Sequence, residues 1–140
     1  MQWAALVTWV ITAAGGLVLL GSWLKHGGMQ QGGRRGRIRP AFILGHFALA
    51  AAGLVLWIVY IAADRTALAW IAFGLLLAVA LLGFSMFALW LGQRRGGAAA
   101  AEGAGSAEGH FPVAVVGLHG LLAATTLALV LLTALGIGAS

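Results

Sequence analysis

Residues 112–135 read PVAVVGLHGLLAATTLALVLLTAL, a run whose one ionisable side chain is His119. At about 1.5 Å per residue, a helix of this length exceeds the ~30 Å hydrocarbon thickness of a bilayer. A titratable group inside such a span is by default a candidate functional residue. An earlier segment echoes it. His46 and the residues after it align with His119 and its successors, sharing Leu49/Leu122, Ala50/Ala123, Ala51/Ala124, Leu54/Leu127 and Leu56/Leu129. Two matching histidines in two apolar spans are the most informative feature of the chain.

The composition agrees with a membrane protein. Of 140 residues, 62% are hydrophobic and 8% charged, and mean hydropathy is +1.03. Ordinary soluble domains carry about 25% charged residues. There is no cysteine, which excludes disulfides, thiolate metal sites, iron–sulfur clusters and covalent c-type haem attachment. The net charge of +5 comes from basic residues that flank the spans, where they orient helices and meet lipid headgroups. No folded basic domain is present to hold nucleic acid.

The fold expected is all-α, a single integral membrane domain over residues 1–140: an antiparallel four-helix bundle with both termini on the outer side. Spans are expected at about 3–24, 40–63, 67–93 and 111–137, with cytoplasmic loops at 25–39 and 94–110 and an outer turn at 64–66. The first charge, Lys25, follows the first apolar run, which argues for a retained helix rather than a signal peptide. The loop KHGGMQQGGRRGRIR is basic and therefore cytoplasmic. Pro40 opens the second span, where its missing N–H costs nothing. Asp64-Arg65-Thr66 is too short for anything but an antiparallel hairpin. Residues 96–109, GGAAAAEGAGSAEG, have no apolar face to bury and read as disordered linker. Trp3, Trp9, Tyr60 and Trp70 are placed as an outer aromatic belt and Trp23 and Trp90 as an inner one. Trp23-Leu24 and Trp90-Leu91, each followed by basic residues and Gly-Gly, extend the repeat to the first and third spans. Gly15-Gly16, Gly53, Gly74 and Gly83 read as packing residues, and Thr8, Thr12, Thr125, Thr126 and Thr133 as back-bonded to their own helices.

His46 and His119 both fall roughly 9–11 Å inside the cytoplasmic boundary. Their spans run in the same direction and are diagonal in a sequentially connected bundle, about 14 Å apart. That width suits two imidazoles with a metal-centred macrocycle between them. The expected cofactor is haem b with bis-histidine ligation, His46 and His119 being the metal ligands. Gly45, Gly117 and Gly120 would let a flat ring approach, and Ser85 would accept an imidazole N–H. Arg39, Arg94 and Arg95, with Arg37 and Lys25, would meet the propionates. Met86 is an alternative ligand more simply explained as core. His26 and His110 read as solvated interfacial histidines.

This constellation resembles small four-helix integral membrane b-type cytochromes, with antiparallel spans and histidine ligands on facing helices. The resemblance implies an electron carrier or redox-complex anchor subunit rather than a stand-alone enzyme. A quinone or a larger redox complex would be its partner, a bacterial plasma (cytoplasmic) membrane its location, and a homodimer compatible with its size. The chain departs from two-haem membrane cytochromes because no histidine lies in its outer half. Two other classes compete. A small transporter would need polar residues across the outer half, which offers chiefly threonines; the first span also lacks the glutamate on which small four-helix multidrug exporters rely. A structural subunit without cofactor would need neither histidine.

Overall fold

The computed structural model describes residues 1–30, 38–96 and 105–137. Four helices carry the fold: α1 (Gln2–Lys25), α2 (Pro40–Ala63), α3 (Thr66–Arg95) and α4 (Val113–Ala134). All four are long and apolar enough to cross a membrane. A one-turn 3-10 segment, Ala107–His110, precedes α4, and no strand occurs among the described residues. Proline sets two helix starts. Pro40 is the first residue of α2, whereas Phe111 and Pro112 are extended, so α4 begins at Val113 rather than at 111. Asp64 ends α2 in the left-handed region (φ 48°), and with Thr66 already in α3 the hairpin turn is the two residues Asp64 and Arg65.

α2 packs most closely on α3, and α1 on α4; α3 also meets α4 and, more lightly, α1 meets α2. The pairs α1/α3 and α2/α4 are the diagonals, with no close backbone approach among the described residues. The core at the hairpin end is aromatic. Trp9 and Trp57 lie 6.4 Å apart, Trp57 lies 4.8 Å from Tyr60, and Ala5, Ala69, Ala72 and Val130 close around them. The Trp57 indole N–H donates to the Gln2 carbonyl at 3.3 Å, tying α2 to the start of α1. Gly53 is the seat for the Trp9 ring, which a Cβ there would meet at 3.0 Å.

The expected aromatic belt is therefore mostly core. Trp3 and Trp70 are exposed, but Trp9, Tyr60, Trp23 and Trp90 are buried between helices. Helices in an apolar environment gain nothing from hiding one apolar residue rather than another; they gain from shape, and tryptophan seated on glycine or alanine fills an interhelical gap best. The outward faces are apolar as well: Phe84 is 72% exposed and Leu121 67%. The threonines behave as expected, each of Thr8, Thr12, Thr125, Thr126 and Thr133 donating to a carbonyl of its own helix.

The repeat extends through the core. The buried residues Ala5, Trp9, Thr12 and Trp23 of α1 correspond, 67 residues on, to buried Ala72, Leu76, Val79 and Trp90 of α3. Gly53 and Trp57 of α2 correspond, 73 residues on, to Thr126 and Val130 of α4, in register with His46 and His119. The two helical pairs are thus related by a pseudo-twofold axis running along the bundle.

Part of the segment expected to be disordered is ordered. Ser106, Ala107 and Glu108 are buried and cap the long-loop end of the bundle. Composition misled because the anchoring is polar rather than apolar. Glu108 Oε1 accepts from the Ile38 N–H at 3.0 Å and from the Gln93 amide at 3.5 Å, and its carbonyl accepts the Trp90 indole N–H at 3.1 Å. Ser106 caps the turn by accepting the Gly109 N–H at 3.1 Å. Replacing Glu108 by alanine leaves the buried Ile38 N–H without its acceptor. Glu108→Ala is expected to cost about 1–3 kcal/mol and Glu108→Gln less, measured as the thermal midpoint in detergent.

Candidate functional site

α2 and α4 each contribute one histidine to the seam on the pseudo-twofold axis. The rings of His46 and His119 face one another with centroids 6.3 Å apart and planes inclined by 55°. Each is held by the helix packed against its own. His46 Nδ1 lies 3.0 Å from the Val79 carbonyl of α3, and His119 Nδ1 lies 2.9 Å from the Thr12 carbonyl of α1. A carbonyl only accepts, so Nδ1 must carry the proton in both rings. Nε2 is left in both with its lone pair in the plane of the ring. An imidazole that donates its other N–H to a carbonyl is the usual arrangement of a metal-ligating histidine.

Glycines make room for the rings. A Cβ on Gly83 would meet His46 Cε1 at 3.0 Å, and one on Gly16 would meet His119 Cε1 at 3.2 Å; Gly15 also touches His119. In α1 the order is Thr12, Gly16, Trp23, and in α3 it is Val79, Gly83, Trp90, so each supporting helix repeats one pattern. A carbonyl receives the ring, a glycine one turn later lets it in, and a buried tryptophan closes the site on its long-loop side.

The separation of the rings has a chemical meaning. A ring nitrogen binds a transition metal at about 2.0–2.1 Å. An imidazole with bonds near 1.35 Å has a radius of about 1.1–1.2 Å. Two imidazoles on opposite sides of one metal therefore have centres roughly 6.3 Å apart. Direct stacking would bring them closer, and a hydrogen bond between them is ruled out by the shared Nδ1–H tautomer, which leaves each ring only an acceptor to offer the other. The two rings thus meet across the α2/α4 diagonal at that separation, each donating through Nδ1 to the helix packed against its own.

The other expected site residues fall elsewhere. Ser85 is exposed and donates to the Leu81 carbonyl of its own helix at 2.8 Å, so the imidazole partner on α3 is the Val79 carbonyl instead. Gly45, Gly117 and Gly120 border open space, and a Cβ on any of them meets nothing within 4 Å. Gly117, two residues from His119, is turned about 200° away from it on α4. Arg94 and Arg95 end α3, and Arg39 precedes α2, all exposed at the long-loop end; the Arg94 guanidinium lies 5.0 Å from the centre of the Trp90 ring. Lys25 ends α1 at the same end. Arg37 lies outside the described residues. Met86 is half-buried on α3.

Sequence reasoning missed Thr12, Val79, Gly16 and Gly83. The signal was present: Gly16 and Gly83 each stand seven residues before Trp23 and Trp90, the tryptophans already noticed as a repeat.

Fold and site together define an all-helical bundle of four membrane-length helices with a facing, carbonyl-anchored histidine pair in the seam. No family model matches the chain, and neither a curated protein nor a solved structure resembles it significantly.

Proposed function

We propose that this is a multi-pass membrane protein that binds one b-type haem between His46 and His119 and serves as an electron carrier or as the anchor subunit of a redox complex. What supports the reading is the paired geometry: two rings with centroids 6.3 Å apart, each fixed through Nδ1 to the neighbouring helix so that Nε2 is its unprotonated nitrogen. Held there, haem supplies reversible one-electron transfer. The chain's own residues do the rest. The Val79 and Thr12 carbonyls fix the tautomer and strengthen the ligand nitrogen, while Gly83, Gly15 and Gly16 allow each ring its place. Trp23, Trp90 and the Ser106–His110 cap separate the site from water at the long-loop end.

In this reading the long-loop end faces the cytoplasm of a bacterial inner membrane, because Lys25, Arg39, Arg94 and Arg95 all gather there and only Arg65 lies at the hairpin end. Those cations suit haem propionates and anionic lipid alike. A quinone or a cytoplasmic redox subunit is the partner such a site would serve.

The test is a reduced-minus-oxidised difference spectrum of protein purified in mild detergent from haem-replete cells. One b-type centre per chain, titrating as a single one-electron wave, is expected. A spectrum without haem, also after haem is supplied to the purified protein, overturns the reading and returns the chain to the transporter and structural-subunit classes. Proteoliposome flux distinguishes those two.

A further inference from the structure

The pseudo-twofold axis makes the surroundings of His46 and His119 directly comparable, and they are not built alike. The helices that hold His119 carry three hydroxyls there: Thr8 and Thr12 on α1, and Thr126 on α4. The axis relates these positions to Leu75 and Val79 on α3 and Gly53 on α2, none with a polar side-chain atom. Gly53 is covered by the Trp9 ring and by Leu75 instead, at 3.0 Å and 3.7 Å from where its Cβ would lie. One imidazole is thus held beside buried hydroxyls and the other among apolar side chains.

Thr12 and Thr126 are both buried, Thr126 almost completely. Thr12 Oγ1 lies 2.7 Å from the Thr8 carbonyl and Thr126 Oγ1 lies 2.8 Å from the Leu122 carbonyl, each a bond within its own helix. The two hydroxyl oxygens are 3.5 Å apart across the α1/α4 interface. A hydroxyl that donates once still has lone pairs to offer, so either proton can turn across and make the interhelical bond. Between apolar side chains, such a hydroxyl contact is one of the few directional ties two membrane helices have.

Thr12 makes two contacts with α4 at once. Its hydroxyl meets Thr126, and its carbonyl meets His119 Nδ1 at 2.9 Å. Thr126 follows His119 by seven residues, two turns along one face of α4. A shift of α1 that parts the hydroxyls therefore also draws the carbonyl away from the ring. α1 has little stiffness of its own at this turn. The Thr12 hydroxyl shares the Thr8 carbonyl with the helix's own ladder, which loosens it, and Gly15-Gly16 follow closely. At the matching turn of α3 stands Val79, which has no hydroxyl to divert the ladder.

We propose that Thr126 is the positioning residue for His119: by meeting Thr12 across the interface, it keeps the Thr12 carbonyl on the imidazole N–H, a tie for which His46 has no counterpart. The hold on the ring needs no cofactor. Its consequence for a bound one, two ligands whose basicity is set separately, rests on the haem reading.

The test is NMR of the haem-free, full-length chain in detergent, with isotope-labelled histidine rings, at about pH 8, where imidazole is neutral. His46→Gln and His119→Gln assign the two ring signals. In the parent both rings are expected as Nδ1–H tautomers. Thr126→Val keeps the side chain's shape and removes its hydroxyl. In that variant the His119 N–H should exchange with water roughly threefold faster or more, while His46 should not change. Thr126→Ser should restore the slow exchange. Thr12→Val spares the carbonyl and should repeat the effect from the α1 side, so it serves as the test if Thr126→Val does not fold. An unchanged His119 signal in either valine variant that folds overturns the proposal. So does an equal change at both rings, or a failure of serine to rescue, since each marks a general loosening of the bundle. In the haem-loaded chain Thr126→Val should keep its spectrum and raise its midpoint, because an imidazole with a weaker partner is a less basic ligand. An unmoved midpoint overturns the separate setting of the two ligands. A parent chain that takes up no haem overturns the haem reading alone and leaves the ring measurement standing.

Discussion

His46→Ala and His119→Ala are each expected to remove at least about nine-tenths of the haem difference spectrum, because an axial pair binds as a unit and neither ring has a substitute. The alternative sulfur ligand, Met86, is half-buried on α3, three residues after the glycine that admits the His46 ring. Loss of one ligand leaves an imidazole still tied to its carbonyl and a single open side on the metal. The fold should persist, since both residues are only half-buried and the tryptophan core lies toward the opposite end of the bundle. Circular dichroism and the elution volume in detergent are therefore expected to match the parent. The double variant should lose no more than either single one. If either single variant kept the full spectrum, the bis-histidine assignment would be wrong, whatever the other showed.

Gly83→Val and Gly16→Val are expected to produce the next largest effect, through crowding instead of ligand loss. A Cβ at Gly83 already lies 3.0 Å from His46 Cε1, and one at Gly16 lies 3.2 Å from His119 Cε1. Valine adds two further methyl groups on that carbon, beside a ring already in contact with it. Overpacking of this kind costs about 1–3 kcal/mol. If the ring turns to escape, it also gives up its hydrogen bond to Val79 or Thr12. Haem affinity is expected to fall by roughly five- to hundredfold, and the redox midpoint to shift as the imidazole loses its carbonyl partner. Gly45→Ala, Gly117→Ala and Gly120→Ala are the matched controls, since each new methyl group meets open space. A titration in which the controls weaken binding and the valines do not would place the cofactor on a different face of the histidine helices.

The glycine contrast shows where sequence reading stopped. Neighbours of a histidine in sequence, such as Gly45 and Gly120, lie about 100° around their own helix from it. Residues that touch the ring come from the helix packed opposite, and their positions depend on the register between α2 and α3 or between α4 and α1. No local pattern states that register. The same limit hid the cap. Alanine, glycine, serine and glutamate give the 96–109 stretch no reason to fold by itself, and Glu108 is held in place by contacts whose other halves Trp90, Gln93 and Ile38 supply.

The number of helices and their approximate limits were legible because each span must meet a local requirement. Within an apolar medium every backbone N–H and C=O has to bond inside its own segment, so long apolar runs ended by Pro40, Asp64-Arg65 and Pro112 specify helices without reference to neighbours. The paired histidines were legible for a related reason: ionisable groups are so costly in such runs that two in matching contexts stand out. Only the tertiary structure decided which carbonyls they face, which glycines admit them, and that Trp9, Trp23, Tyr60 and Trp90 turn inward rather than toward a boundary. Apolar residues fit either side of a membrane helix about equally well, so the choice between lipid and core is made by the shape of the facing helix, which one-dimensional hydropathy does not contain.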